Sequence, residues 1–430
     1  MAFLPNIIFG LILVGGIGFF VRNINKLKRN IKLGQSVKID GATGQRWSNM
    51  ARIALGQSKM VTRPISGILH VIVYVGFIII NIEVLEIILD GLLGTHRIFS
   101  SIGPLYGVLI GTFEVLAVLV FLAVVVFWMR RNVVRLKRFL SPEMKGWPKQ
   151  DGNLILYFEI VLMALFIIMN ATDAPFQAMN SGNVVSQFVA PWFDGLPLAA
   201  IERTAWWLHI IGILFFLNYL YYSKHLHILL AFPNTFYGRL TPNGQLDNLE
   251  SVTNEVKLMM DPDADPYAMP DGSTQDPEKF GASDVFDLNR IQLLNAYTCT
   301  ECGRCTSECP ANQTGKKLSP RKIMMDTRDR LQEVGQNIDA NKGNYVPDGK
   351  QLLWDYISPE ELWACTSCNA CVEACPISIN PLSIILEMRR FLVMEQSAAP
   401  TELNTMMTNI ENNGAPWPYN QMDRLNWKND

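Results

Sequence analysis

Two stretches of the chain decide how the rest of it is interpreted: CTECGRCTSECP at residues 299–310 and CTSCNACVEACP at residues 365–376. Each has the spacing C-x2-C-x2-C-x3-C-P, and together they contain all eight cysteines of the 430-residue chain. This spacing is typical of paired [4Fe–4S] clusters, in which the fourth cysteine of each motif ligates the other cluster. The predicted ligands are Cys299, Cys302, Cys305 and Cys375 for the first cluster, and Cys365, Cys368, Cys371 and Cys309 for the second.

Other uses of these cysteines fit the spacing less well. Structural zinc prefers separated C-x2-C pairs rather than three cysteines in regular steps. Disulfides are disfavoured in a reducing cytoplasm, where we expect this half of the chain to lie. Neither predicted cluster leaves an open iron position for a substrate, so the motifs indicate electron transfer.

Upstream of the cysteines the composition changes. The chain has 18% charged residues, against about 25% in soluble domains, and its mean hydropathy is +0.15. A net charge of −2 argues against a nucleic-acid partner. All five histidines precede residue 228, whereas all cysteines follow residue 298. This segregation indicates two halves with different chemistry.

The N-terminal half contains five segments of the length that a membrane helix needs, about 20 mostly apolar residues. They span residues 3–21, 65–89, 102–129, 154–169 and 205–231. The loops after the first and third segments are rich in Lys and Arg, whereas the other two loops contain only Arg97 and Arg203 as basic residues. The positive-inside rule therefore places the N-terminus outside the inner membrane and the C-terminal half in the cytoplasm.

These patterns predict an all-α membrane protein, with a five-helix transmembrane bundle followed by a cytoplasmic, α-helical, ferredoxin-like domain with two clusters. The membrane domain covers residues 1–232, and an acidic linker with Pro and Gly covers residues 233–290. The helical ferredoxin domain covers residues 291–396, and we expect residues 397–430 to dock a partner.

The histidines predict a heme b in the membrane half. His209 and His227 lie 18 residues apart in the fifth segment, which is five helical turns on one face. His70, in the second segment, lies level with His225 and His227 at the inner side, and neutral imidazole is an axial heme ligand. A second heme on His209 would need His96 as its partner, so the sequence leaves open whether the membrane half holds one heme or two. The alternative is that these histidines are hydrogen-bonded at helix ends.

Charged residues at membrane depth are candidates for function. Glu83 in the second segment could accept a proton released by a quinol, or it could be hydrogen-bonded between helices. Lys224 lies near the inner end of the fifth segment, and we expect its side chain to extend to the headgroups.

The membrane half resembles the gamma subunit of respiratory nitrate reductase and the membrane subunit of heterodisulfide reductase. The likeness lies in the five spans, in His70 and in WWLHIIGILFFLNYLYYSKHLHIL at residues 206–229. The cysteine half resembles heterodisulfide reductase C subunits and the two-cluster domain of succinate dehydrogenase iron–sulfur subunits. The segment ENNGAPWPYNQMDRLNW at residues 411–427 is similar to one that precedes the catalytic domains of membrane iron–sulfur oxidoreductases, such as electron-transfer-flavoprotein:quinone oxidoreductases.

The resemblance implies that heme exchanges electrons with quinone and that the clusters pass them on. No two cysteines are adjacent, so the CCG motif of the related catalytic domains is absent. We therefore expect an electron-transfer subunit whose cytoplasmic partner chain carries a CCG domain or a flavin. The alternatives are a complete quinone-dependent oxidoreductase, or a membrane scaffold or redox sensor with structural metal clusters. No dinucleotide-binding fingerprint or P-loop favours the complete enzyme.

Overall fold

The computed structural model describes residues 3–37, 39, 41–262 and 279–429. The protein is 70% helical, and the described residues form no β-strand. Isolated β-bridges join Gln35 to Asn289 and Leu353 to Ile357. The predicted all-α fold is confirmed.

The N-terminal half is built around long helices. Its α-helices are α1 (Leu4–Ile31), α2 (Thr43–Met50), α3 (Pro64–Leu93), α4 (Pro104–Asn132), α5 (Trp147–Thr172), α6 (Ala174–Ala178), α7 (Ser186–Val189), α8 (Leu198–Tyr219) and α9 (His227–Phe236). Of these, α1, α3, α4, α5 and α8 with its following turn are long and apolar enough to cross a membrane. They correspond to the five predicted spans, although α5 is longer at both ends than the predicted 154–169.

Proline and glycine set the ends of α3. Pro64 occupies the first helical position, where the missing N–H would have no intrahelical partner. Gly94 follows the last turn with a φ of 73°, a left-handed conformation that glycine adopts without steric cost. Proline also stands within the first two positions of α1, α4 and α5. Proline therefore favours the start of each of these four helices.

The five long helices pack as a bundle. α5 contacts α4 and α8, α3 contacts α4, and α1 lies against α3 and α8. Phe9, Ile80, Phe113, Phe166 and Ile210 are buried together at the centre of the bundle. Many apolar side chains face outward from the same helices, as a surface in contact with lipid requires.

The predicted fifth span, 205–231, is interrupted in the structure. α8 ends at Tyr219, and short 3-10 turns carry the chain to the start of α9 at His227. Asp151 of α5 stabilises the break, since its carboxylate accepts hydrogen bonds from the Tyr219 hydroxyl at 2.5 Å and from the Lys224 backbone N–H at 3.1 Å. The prediction that two histidines of this span share one face of a continuous helix is therefore wrong.

The C-terminal half consists of shorter helices. They are α10 (Glu250–Met260), α11 (Arg290–Thr298), α12 (Arg304–Glu308), α13 (Pro310–Gln313), α14 (Pro320–Ala340), α15 (Leu352–Asp355), α16 (Pro359–Trp363), α17 (Ala370–Ala374), α18 (Pro381–Arg390) and α19 (Thr401–Asn413). α14 packs against α11 and α18. α10 falls within the predicted linker 233–290, of which residues 263–278 lie outside the described residues.

The two halves share one hydrophobic core. Leu27 and Leu226 of the membrane half are buried in the same cluster as Ile338 of α14. Polar contacts add to this packing: the Arg304 guanidinium donates to the backbone carbonyl of Met60 at 3.0 Å. The C-terminal half therefore rests directly on one end of the helix bundle.

Candidate cofactor sites

The two cysteine motifs repeat the same backbone turns. Glu301 and Ser367, each two residues after the first cysteine of their motif, both have a φ of 55°. Gly303 and Asn369, each four residues after that cysteine, have φ values of 73° and 60°. Each motif then enters a short helix, α12 or α17, and these two helices pack against each other. The sequence repeat is therefore also a structural repeat.

One group of thiols forms around Cys371. Its charged neighbours are Cys365 and Cys368 of the same motif and Cys309 of the first motif. Burial is the largest cause that raises the pKa of Cys371, and together with these neighbours it brings the pKa to about 12. This proximity supports the predicted second ligand set, in which the fourth cysteine of the first motif crosses over.

The other group includes Cys375, the fourth cysteine of the second motif. Burial and then the nearby Cys302 thiolate raise the pKa of Cys375 to about 11. Cys305 has Cys302, Cys299 and Cys375 as its first charged neighbours. The Sγ of Cys375 also accepts a hydrogen bond from the Ile379 backbone N–H at 3.3 Å, a contact that tunes cluster potentials. This second group supports the predicted first ligand set.

The donor set fits two [4Fe–4S] clusters. Eight thiols lie in two groups of four, and burial raises the pKa values of Cys371 and Cys375, as it does for thiols in general. Across the described residues, no group of three or more His, Cys, Asp or Glu side chains surrounds a point at distances suited to a single metal ion. A cubane distributes its four thiolates over four irons.

Three histidines line a cavity of about 400 Å³ at the end of the bundle that faces the C-terminal half. His70 comes from the start of α3, whereas His225 and His227 come from the break between α8 and α9. The ring centres of His70 and His227 lie 6.4 Å apart. The His227 Nδ1 lies 3.2 Å from the Lys224 carbonyl oxygen, so a proton on Nδ1 leaves Nε2 available to a ligand. The Nδ1 of His70 is buried with no hydrogen-bond partner among the described residues. These residues fit a heme.

The same cavity extends to the cysteine motifs. Thr300, Glu301 and Cys302 of the first motif line it, together with Pro376 and Ile377, which follow the fourth cysteine of the second motif. The histidine pocket and the first predicted cluster site therefore share a wall.

Lys224 connects the two sites, contrary to the prediction that it extends to the headgroups. Its side chain is only 9% exposed and is ion-paired with Glu301 of the first cysteine motif. Glu301 also accepts a hydrogen bond from Arg328 at 2.7 Å. Burial alone would raise the pKa of Glu301, but the two cations outweigh burial and lower it. The helix break turns Lys224 inward, onto a carboxylate that is distant in sequence.

Glu83 lies at the opposite end of the bundle. Its side chain is buried, and its Oε2 has no hydrogen-bond partner among the described residues. It lines a chamber of about 310 Å³ together with Glu86, His96, Arg97 and Trp206. A polar chamber at this depth is suited to a ligand that exchanges protons.

The structure does not bring His96 and His209 together. The His96 Nε2 lies 3.1 Å from the Asp173 carboxylate, which also accepts a hydrogen bond from the Arg97 Nε at 2.7 Å. His209 is buried in the bundle with its ring 6.1 Å from that of Phe166. A second heme on this histidine pair stays an untested prediction.

Three charged residues of these sites were missed by sequence reasoning. The sequence treats Arg97 only as a loop charge and does not single out Asp173, but both are buried and paired with each other. Asp151, which ends α8, gave a weak signal as an acid just before an apolar segment. Their partners are between 68 and 76 residues away, so no local pattern could assign them.

The fold and these sites define a membrane protein that carries an iron–sulfur domain with two clusters. Residues 298–379 match the family of 4Fe-4S dicluster domains. No solved structure matches the chain.

Curated relatives extend the match to the membrane half. The "Probable iron-sulfur-binding oxidoreductase FadF" of Bacillus subtilis is 29% identical over 93% of this chain and 57% of its own length. The EtfAB:quinone oxidoreductase of Syntrophomonas wolfei is 26% identical over 94% of this chain and 55% of its own length. Among heterodisulfide reductase C subunits, the ferredoxin/F420H2-dependent protein of Methanosarcina acetivorans is 32% identical over 28% of this chain and 60% of its own length.

These relatives confirm the resemblance predicted from the sequence. The chain is related to FadF-like membrane iron–sulfur oxidoreductases and, through its C-terminal half, to heterodisulfide reductase C subunits. It spans little more than half the length of the two long relatives that it matches.

Proposed function

We propose that the protein is a membrane-anchored electron-transfer subunit, which moves electrons between the quinone pool and a cytoplasmic redox partner. One observation carries the proposal: a single cavity is lined by His70 and His227 and by Cys302 of the first cysteine motif. Such a shared wall brings a membrane cofactor and a cluster within short range of each other. The name of the Syntrophomonas relative, which includes quinone, supports the choice of membrane substrate.

We assign the cofactors by the residues that would hold them. His70 and His227 would hold heme b, with His225 as the alternative to His227, and the two groups of four cysteines would hold [4Fe–4S] clusters. When bound, these groups supply one-electron carriers. The chain positions their ligands, excludes water from the bundle and provides buried carboxylates, Glu83 among them, where protons of a quinol can be taken up or released.

The proposed boundaries and orientation follow the sequence analysis. The membrane domain, 1–232, would have its N-terminus outside the inner membrane, and the cluster domain, 291–396, would face the cytoplasm. The segment 397–430 would dock a chain with a CCG domain or a flavoprotein. Exposed aromatic side chains, Trp417 and Trp427, support docking, since such residues are enriched at protein interfaces.

Cofactor content tests the proposal directly. The full chain, purified anaerobically in detergent, should contain about eight irons and about eight acid-labile sulfides in clusters, together with heme b in a pyridine-hemochrome assay. Addition of quinol as the reductant should bleach or shift the absorption bands of the clusters and those of the heme. A preparation without acid-labile sulfide would overturn the proposal. Turnover of a soluble substrate by this chain alone would favour the complete oxidoreductase, and full electron transfer without heme would favour the scaffold.

A further inference from the structure

Four arginines line the histidine cavity, namely Arg130, Arg131, Arg138 and Arg304. Two of them, Arg131 and Arg138, form no ion pair with any residue that the structure describes, and the Nε of each is buried without a hydrogen-bond partner there. Arg138 makes no side-chain hydrogen bond or ion pair with any residue that the structure describes, and its Nε is buried. The Nε of Arg131 is likewise buried without a partner in the described part of the chain, although its Nη2 donates to the carbonyls of Pro148 and Lys149 at 3.0 and 3.2 Å. Both guanidiniums therefore have donors left to use.

These arginines are held in place by their surroundings. Each guanidinium lies over the ring of Phe139, at 5.1 Å for Arg131 and 5.0 Å for Arg138. A Cβ at position 152 would lie 2.6 Å from the Arg131 Cζ, so the guanidinium occupies space that the absence of a side chain at Gly152 leaves open. A fixed cation with unused donors is preorganised for an anion.

Neither acid that lines the cavity pairs with these two arginines. Glu301 is paired with Lys224 and Arg328, and Glu159 lies 3.7 Å from the His225 imidazole. Burying a guanidinium without an anion is costly, so the cavity lacks one or two negative charges. The remaining walls are largely apolar, with residues such as Phe127 and Ile155. A ligand that complements these walls is an apolar body with carboxylates at one end.

We propose that Arg131 and Arg138 form the carboxylate-binding end of this cavity and bind the two propionates of heme b. The proposal rests on the proposed function, and it adds the orientation of the macrocycle: its carboxylates face the cluster domain and its apolar edge faces the membrane interior. A quinone carries no charge and leaves both guanidiniums without an anion. Arg138 has one other candidate anion, since Cys302 is its first charged neighbour.

The two arginines are positioning residues, so the test measures the heme rather than turnover. In the detergent-purified holoprotein we would determine heme content and the heme midpoint potential for Arg131→Gln, Arg138→Gln, Arg131→Lys and Arg138→Lys. Arg135→Gln is the matched control, because Arg135 belongs to the same loop, is exposed and does not line the cavity. Both Gln variants should lower the potential, because a nearby cation favours the less positive ferrous state, and both Lys variants should restore part of the shift.

The outcomes separate this inference from the proposed function. Loss of heme from the Gln variants, with the cluster EPR signals kept and the control unchanged, would support it. If the Gln variants lose the clusters as well, the heme midpoint potential of the two Lys variants decides between the outcomes. Heme that is present at an unchanged midpoint potential in the Gln variants would overturn the inference. A change confined to the cluster EPR signal would also overturn it and would assign Arg138 as the partner of Cys302. Wild-type protein without heme would overturn the heme assignment itself.

Discussion

The imidazole rings of His70 and His227 lie 6.4 Å apart, centre to centre, with their planes inclined by 41°. A metal bound on opposite sides by two imidazole nitrogens, at about 2 Å each, holds the ring centres about 6 Å apart. The two histidines belong to elements that are separated by more than a hundred residues, and only the His227 ring has a backbone partner, the Lys224 carbonyl oxygen at 3.2 Å. His70 and His227 thus have the spacing of a bis-histidine site.

Removal of either histidine should therefore abolish heme binding. We expect the heme affinity of His70→Ala and of His227→Ala to fall by more than about 10- to 100-fold, which is the loss that follows removal of an outer-shell partner. His96→Ala is the control, because His96 is bonded to Asp173 at the far end of the bundle. Pyridine-hemochrome content measures the result, and cluster content shows that the chain is folded.

His225→Ala decides between the two candidates from the helix break. The His225 ring lies 5.4 Å from that of His227, and its Nε2 lies 3.7 Å from Glu159. We expect His225→Ala to keep its heme. A variant that lost heme while His227→Ala kept it would reassign the ligand.

The crossed arrangement of cysteines has its own signature. If Cys375 belongs to the first cluster, Cys375→Ser and Cys299→Ser should remove the same EPR signal and about four irons each. Cys309→Ser and Cys365→Ser should remove the other signal. Iron analysis and EPR of the reduced protein measure this. If Cys309→Ser and Cys299→Ser, two variants of the same motif, removed the same EPR signal, the crossed arrangement would be contradicted.

The sequence was sufficient for the parts of the protein that depend on local pattern. The length of apolar segments defined the five long helices, and the cysteine spacing defined the domain that the dicluster family matches. Both signals are repeated within a short window, so they do not depend on distant partners.

The break after α8 could not be predicted in the same way. The residues from Ala205 to Ala231 are apolar enough to continue a helix, and no proline or glycine marks the interruption at Ser223. What ends the helix is the Asp151 carboxylate on α5, which takes the place of a backbone acceptor. The same break determines where His225 and Lys224 point, so the details of the inner site depend on a long-range contact.

The buried ion pair between Lys224 and Glu301 should stabilise the contact between the two halves. Lys224→Met leaves the Glu301 carboxylate, 2% exposed, with Arg328 as its remaining cation, and loss of one partner of a buried pair costs about 3 kcal/mol. We expect a lower denaturant midpoint, measured by cluster absorbance. Lys317→Met is the matched control, since its pair with Glu360 is exposed and screened by solvent. Equal effects of the two variants would contradict a special role for the buried pair.

The contact between His96 and Asp173 should make stability depend on pH. The hydrogen bond to Asp173 is the largest cause that raises the pKa of His96, against burial and Arg97. Asp173, with a pKa lowered to about 2, stays charged near neutrality. A raised pKa contributes stability below the unfolded value of about 6.5, and this contribution is lost as the pH rises through the folded value.

Comparison of wild type with His96→Gln at two pH values measures this contribution. The difference in thermal midpoint should be larger at about pH 6 than at about pH 9. It should be small, because the imidazole is half exposed and solvent screens the pair. Arg97 and Glu202 also act on the pKa of His96, and the His96→Gln comparison leaves both of them in place. An equal difference at both pH values would show that His96 acts through packing alone.

Glu83 should control proton exchange with quinol in the chamber that it lines with Glu86 and His96. Its carboxylate is buried, and Oε2 is without a partner among the described residues, so one oxygen remains available to a ligand. Oxidation of a quinol releases two protons with two electrons, and a positioned base contributes about 100-fold or more to such a step. We expect Glu83→Gln to slow reduction of the heme and clusters by quinol by at least that factor. Glu83→Asp should restore part of the rate, and Asp194→Asn, which changes an exposed acid in the segment between α5 and α8, should have no effect. Reduction by dithionite must remain normal in all three variants, because it bypasses the chamber. A normal quinol rate in Glu83→Gln would assign the carboxylate to helix packing instead.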